Sequence, residues 1–511
     1  MGGWPVVVGD EWDEEAFSWT NAIYTNRRIG YSIDYLIDFS VTVDVKNSSW
    51  RIIDLDQPPL GMPSRKYLMK GFNDSDVKAY HKYQISLAMK LGAEKKRAVE
   101  ELRDALQFEM DLAKYLKDSE DRRNISELYN KMTIKELNEM VPEIPWLEYI
   151  TKVLSLKNLK ITEVERINVN VPEYIKKELL KKKVIANYLM WRIASASVGF
   201  LSNDVRDLQI IYTKQLTGMG TRPLRWKECM VTVSGSLSHA VGALYAKNFF
   251  NENAKAEADE MVKYLRTEFD NILRTVDWMD ERTRRRALKK SQAVTAHIAY
   301  PKELLVEENL EDLYKNLYIS DGDLLDNMRN LTIFGTDFSF GELRKKVDKG
   351  HWRNHGAAAV VNAFYSPLEN SIQFPAGILQ GVFFSADRPK YLNYGGIGFV
   401  IGHEITHGYD DRVNGVNTQG ENIADNGGIK EAYMAYNQWV SDNGREPFLP
   451  GINYTPNQLF WISAAHVWCS KYRPETMKLR LITGSHSPVQ FRVNGPISNN
   501  ADFARDWKCK S

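Results

Sequence analysis

Apolar residues recur at helical spacing over long stretches of the N-terminal part of the chain. From about Asp76 to Lys117, Ala, Leu and Met fall among Glu and Lys at that spacing, and no Pro interrupts them. Helical patterns return around Pro172–Ile211, Leu237–Thr275 and Arg282–Ala293. The basic runs Lys181–Lys183 and Arg284–Arg286 lie inside these patterns and read as solvated helix faces. After about residue 325 the pattern changes. Ala358–Tyr365 and Ser371–Phe374 read as short strands, each followed by a Pro. A helix-compatible stretch follows from about Tyr394 through Asp411, then a helix carrying Glu421, then a C-terminal region with Trp461 and Trp468. The expected fold is mainly α with a small β component, in two lobes: residues 1–325 mainly helical, with some segments packing on the second lobe, and residues 326–511 mixed.

Composition adds bounds. A chain of 511 residues exceeds one small core. Its net charge of +1 points to neither nucleic acid nor an anionic membrane surface. The 13 Trp, 25 Tyr and 20 Phe imply large buried surfaces and a substantial pocket. Three cysteines, Cys229, Cys469 and Cys509, show no CxxC spacing, which leaves open inert thiols of an intracellular chain or a secreted chain lacking their partners. N-glycosylation sequons at Asn47, Asn73, Asn124, Asn330 and Asn453 lean towards an extracellular setting. No run of 18 apolar residues and no signal peptide is visible.

The chemistry concentrates in Gly402-His403-Glu404-Ile405-Thr406-His407-Gly408. Histidines four apart on a helix project from one face, so both imidazoles can reach one zinc ion at about 2.0–2.1 Å. Glu404 stands beside the first of them, placed to take a proton from a water rather than to bind the ion. A zinc hydrolase needs a third protein ligand. Glu421 is the best candidate, and Asp425 shares its helix face, where it can orient a ligating His through the free ring N–H. Thirteen residues separate His407 from Glu421. If the first helix ends near Asp411, the rest can span about 30 Å extended, enough to bring Glu421 back.

These residues, with Ile53–Pro58, Val361–Tyr365, Phe374–Gly377, Glu421–Gly428, Val467–Pro474 and His486–Pro488 in order, resemble the neprilysin/endothelin-converting-enzyme family of zinc metalloendopeptidases. The resemblance implies a thermolysin-like catalytic lobe capped by the helical lobe around an internal chamber. It implies one Zn2+ per chain, held by His403, His407 and Glu421, with Glu404 as general base and Asp425 behind the ligands. His486 and Arg492 correspond to residues that support the developing oxyanion and bind the substrate backbone. Asn362 and Ala363 correspond to an edge strand that pairs with the peptide. Phe383, Val400, Val467 and Trp468 correspond to the apolar pocket for the residue after the scissile bond. The implied activity is hydrolysis of oligopeptides on the amino side of hydrophobic residues by zinc-activated water, outside the cell or at its surface.

The same comparison implies an incomplete member, without the N-terminal anchor region, an internal segment before Glu421 and the C-terminal tail, and with Cys469 and Cys509 unpaired. A second reading follows: a catalytically impaired relative that binds peptides or partner proteins without cutting them. Neither nucleic acid nor a membrane-spanning segment is expected, and the oligomeric state stays open.

Overall fold

A computed structural model describes residues 2–156, 159–176, 181–410 and 418–509. The chain forms two compact units, each assembled from three segments. Unit 1 comprises Met1–Pro223, Asn316–Val347 and Arg473–Thr483, and unit 2 comprises Leu224–Lys315, Asp348–Tyr472 and Gly484–Ser511. The boundary read near residue 325 falls inside the helix Leu324–Phe340 of unit 1.

Unit 1 is built on a four-stranded sheet of β1 (Asp38–Asp44), β2 (Asn47–Asp56), β3 (Lys131–Thr133) and β4 (Arg166–Val169), in the order β1-β2-β4-β3. A tight connection between β1 and β2 makes them antiparallel, and β4 joins β2 in parallel. The long helical pattern near residue 100 resolves into α1 (Ser75–Lys90) and α2 (Lys95–Tyr115). The Glu94 carboxylate accepts from the Lys96 and Arg97 amides and so starts α2. Along α2 the buried positions Ala98, Leu102, Ala105, Leu106, Met110 and Ala113 keep the helical period. With α3 (Lys182–Ser197), α1 buries Tyr80, Tyr83 and Trp191 in one aromatic cluster, the Trp191 indole N–H donating to Tyr80 Oη at 2.7 Å.

Unit 2 holds a second sheet, β5 (Thr295–Ala299), β6 (Phe364–Ser366) and β7 (Ser371–Pro375), in the order β5-β7-β6. The expected strand over Ala358–Tyr365 is mostly absent; only its end pairs, as β6. Ahead of β6 the run passes close to Gly377, just beyond β7: the Ala358 carbonyl accepts from the Gly377 amide at 2.9 Å, and a Cβ on Gly377 would sit 2.6 Å from the Val360 carbonyl oxygen.

Three helices frame the chemistry: α4 (Glu252–Thr275), α5 (Phe399–His407) and α6 (Gln419–Asn443). A buried π-helical turn, Tyr394–Gly398, leads into α5, which ends at His407 rather than near Asp411. The Gly408 and Tyr409 amides donate to the Ile405 and Thr406 carbonyls in tight turns that stop the helix. Phe399, Ile401 and Ile405 of α5 and Ile429, Ala432, Tyr433 and Tyr436 of α6 share one core with Phe460 and Trp461.

The two helices touch backbone to backbone. A Cβ on Gly428 would sit 2.5 Å from the His403 amide nitrogen, and one on Gly402 would sit 2.6 Å from the Gly428 carbonyl oxygen. Only glycine allows that approach. The buried Thr406 hydroxyl adds a tie to α6, 2.9 Å from Glu431 Oε1.

Candidate metal centre

One turn of α5 separates His403 from His407, and their rings meet nearly edge to face with centroids 4.4 Å apart. The Nε2 atoms stand 2.9 Å from each other, a separation that calls for a proton or a metal ion between two imidazole nitrogens. From the first turn of α6, Glu421 brings Oε2 to 3.2 Å from His403 Nε2 and 3.6 Å from His407 Nε2. In a tetrahedral zinc site with bonds of about 2.0–2.2 Å, ligand atoms lie roughly 3.3–3.5 Å apart. The three donors therefore have the chemistry of a zinc site; the two carboxylate–imidazole separations are near its spacing, and the two imidazoles stand closer than it. Among the described residues, Glu421 Oε2 is moreover a buried atom without a well-formed hydrogen bond.

The electrostatics point the same way. Burial alone would push the His407 imidazole down, but the Asp410 and Glu421 carboxylates outweigh it and raise the pKa to about 10. Burial likewise opposes charge on His403, and Asp425 and Glu421 override it upward. On Glu421 burial is overcome by the facing imidazoles, which hold its carboxyl well below the usual range. Acidic groups thus surround the imidazoles and favour positive charge between them.

Around the donors, each sequence candidate has a definite place. His403 Nδ1 lies 2.9 Å from Asp425 Oδ1. Asp425 is buried, and Arg492 donates to it twice, from Nε at 2.8 Å and from Nη2 at 2.7 Å. The Arg492 guanidinium lies over the Trp468 ring at 4.0 Å. His486, from the segment before the helix α7 (Val489–Ser498), brings Nε2 to 3.1 Å from Glu421 Oε2. Glu404 is 6% exposed, and burial raises its pKa against the pull of His403 and His407.

The remaining candidates are the residues ahead of β6 and the apolar ones. Asn362 and Ala363 directly precede β6 rather than forming it; Asn362 is exposed and its Oδ1 accepts from the Ala363 amide at 3.0 Å. Phe383, Val400 and Trp468 line the edge of the core that carries α5, and Trp468 meets Phe399 edge-on at 5.7 Å. Val467 is half-buried beside Trp468.

Sequence reasoning missed Asp410, whose Oδ2 lies 2.5 Å from His407 Nδ1. The signal was an acid three residues past the second His, on the side its free ring nitrogen faces. Cys229, Cys469 and Cys509 are exposed and unpaired. Among the described residues no single helix is long and apolar enough to cross a membrane.

Comparison with known proteins shows the family. Peptidase family M13 matches through its N-terminal part over residues 1–301 and through its peptidase part over residues 362–413 and 410–511. The second match divides within the link between His407 and Glu421, where the sequence is short. Neprilysin-2 of Drosophila melanogaster is 44% identical over 570 aligned positions, covering 100% of this chain and 73% of that protein. Human membrane metallo-endopeptidase-like 1 is 36% identical over 100% of this chain and 73% of its own length. The zinc metalloprotease Zmp1 of Mycobacterium tuberculosis, solved with an inhibitor, superposes with a TM-score of 0.84 at 25% identity, covering 97% of this chain and 82% of that one. The fold, the donor set and these relatives together place the chain in peptidase family M13, among the neprilysin-like zinc metalloendopeptidases.

Proposed function

We propose that this chain cleaves oligopeptides on the amino side of hydrophobic residues, with His403, His407 and Glu421 as zinc ligands and Glu404 as general base. The observation that carries the reading is a buried carboxylate, Glu404, set on the same helix turn as two imidazoles that converge with Glu421. A zinc ion held there supplies Lewis acidity, which polarises a carbonyl and lowers the pKa of water towards about 7.

Glu404 then has a defined task. Burial raises its affinity for a proton, so it takes one from water at neutral pH and returns it to the leaving amine. Asp425 fixes the His403 ring and, through two hydrogen bonds, the Arg492 guanidinium. Arg492, also braced on Trp468, and His486 are the donors for the carbonyl oxygen and substrate backbone, a contribution typically worth about 2.7–4 kcal/mol. Because β6 is an edge strand, its Asn362–Ala363 end offers main-chain and amide groups to an extended peptide. Phe383, Val400, Val467 and Trp468 form the apolar wall for the side chain that follows the cut. Exposed sequon residues Asn47, Asn73 and Asn453 fit an extracellular or cell-surface setting.

The test is zinc content together with turnover of a fluorogenic peptide carrying a hydrophobic residue after the scissile bond. Wild type should hold zinc and lose turnover to a chelator. Glu404→Gln should keep the zinc and lose roughly 10²–10⁴-fold in turnover. A protein without zinc, or a Glu404→Gln variant as active as wild type, overturns the reading. Zinc with no turnover in wild type would instead favour a peptide-binding relative, the reading to which the short link between His407 and Glu421 lends support.

A further inference from the structure

A second cluster of metal-ligating side chains lies in unit 2 and shares no residue with the centre described above. His297, His355 and Glu369 each bring one ligand atom to within 4.8 Å of the others. Three elements deliver them. His297 comes from β5, whose parallel register with β7 sets it opposite Gln373. His355 ends the short 3-10 turn Trp352–His355 and is buried, 6% exposed. Glu369 sits in the turn before β7, next to Asn370, which takes a left-handed φ of 55°.

Glu369 Oε2 accepts from the Ser371 hydroxyl at 2.9 Å, whereas the His355 ring is poorly satisfied for a buried group. Among the described residues the nitrogens of the buried His355 ring make only long contacts: Nδ1 stands 3.4 Å from Gln373 Oε1, and Nε2 stands 3.3 Å from the Lys349 carbonyl and 3.7 Å from Glu369 Oε2. Ordinary hydrogen bonds of imidazole nitrogens are nearer 2.9 Å. His297 lies face to face on His355, with centroids 3.5 Å apart and planes 12° from parallel. His297 and His355 also border a cavity of about 510 Å³, lined further by Glu252, Lys255, Tyr300 and Gln373. An ion therefore has a route to the cluster from solvent.

We propose that His297, His355 and Glu369 form a second site for a divalent transition metal, Zn2+ being the ion to test. Two imidazoles and one carboxylate suit zinc, copper or nickel; magnesium and calcium prefer oxygen donors. In a face-to-face stack the nitrogen lone pairs run side by side, so uptake of the ion turns the outer ring, His297, out of the stack while the buried His355 stays. The ligands bracket residues 356–368, the segment that carries Asn362, Ala363 and β6. A bound ion would tie both ends of that segment to β5.

The experiment is zinc binding by elemental analysis and competitive titration on the full chain, for wild type, His297→Gln and Glu369→Gln. His297 is only half-buried and Glu369 lies in a turn, so neither change strips the core. Wild type should bind one zinc ion more than His297→Gln. Glu369→Gln should weaken that extra ion by at least about tenfold. Excess Mg2+ should not displace it. Equal zinc content in wild type and His297→Gln across the titration overturns the proposal, as does displacement by Mg2+. Because the reading rests on the difference of one ion, it stands or falls apart from whatever the centre at His403 holds.

Discussion

Asp425 grips Arg492 through two buried hydrogen bonds while its Oδ1 lies 2.9 Å from His403 Nδ1. One carboxylate thus contacts both the His403 imidazole and the Arg492 guanidinium, so under the proposed ligand set zinc binding and the placement of Arg492 are coupled. Burial opposes ionisation of Asp425, yet His403 and Arg492 hold its pKa below the ordinary value. Asp425→Ala should therefore weaken zinc by roughly 10–100-fold. Arg492→Ala, which leaves that carboxylate buried with one partner fewer, should cost about 3–5 kcal/mol of stability. Chelator competition and chemical denaturation read the two effects. Unchanged zinc affinity in Asp425→Ala would show that the ring is fixed by packing alone.

The contact of Gly402 with Gly428 fixes how α5 meets α6, and with it the position of Glu421 relative to the two imidazoles. Gly428→Ala would drive a methyl group against the His403 amide, 2.5 Å away, and the Phe399 carbonyl, 2.7 Å away. Both are backbone and cannot swing aside. The expected cost is about 1–3 kcal/mol, with a loss in kcat/KM on the order of 10²-fold from a shift near 1 Å. Gly235, inside the helix Arg225–Ser236 with open space at its Cβ position, is the control. There Ala should stabilise by roughly 0.5–1 kcal/mol. Thermal denaturation and peptide turnover of both variants separate a packing effect from a general intolerance of alanine.

Asp410 supports His407 as Asp425 supports His403, at 2.5 Å from the free ring nitrogen. Asp410→Asn should lower zinc affinity roughly 10–100-fold while leaving the melting temperature of the zinc-loaded protein near wild type. A drop in melting temperature with zinc affinity intact would make Asp410 a cap of the helix end instead.

What the sequence revealed follows the range of the interactions. His403 and His407, and likewise Glu421 and Asp425, are spaced by one helical turn, so periodicity alone places each pair on a face. His486 and Arg492 come from a distant segment and were reachable only through family resemblance. The run Ala358–Ala363 looks like a strand because Val360 and Val361 favour extended backbone. In the structure the Ala358 carbonyl accepts from the Gly377 amide, a partner that the local pattern does not reveal. The Gly402–Gly428 contact carries no local signal, since a glycine inside a helix reads only as a weak position until the partner helix is known. Cutting the chain once near residue 325 could not anticipate units of three segments each.

The sheet of unit 1 carries its own pH response. Asp38 is paired across β1 and β2 with Asp56, which Arg122 binds through both carboxylate oxygens. Burial first, then the charges of Asp34, Asp56 and Asp54, push the Asp38 pKa up to about 7. In the unfolded chain the same group loses its proton near pH 3.9. Between those values the folded state holds a proton that the unfolded state has released, so stability falls as pH rises from about 4 to 7. Asp38→Asn removes that titration. It should leave stability unchanged near pH 4 and raise it by about 1–3 kcal/mol at pH 8, the full shift being discounted for partial exposure. Asp34 and Asp54 are also raised by burial, so a shallower slope should remain in the variant. Urea denaturation of both proteins across that range gives the difference directly. An equal gain at pH 4 and pH 8 would mean that Asp38 acts through hydrogen bonding rather than through its charge.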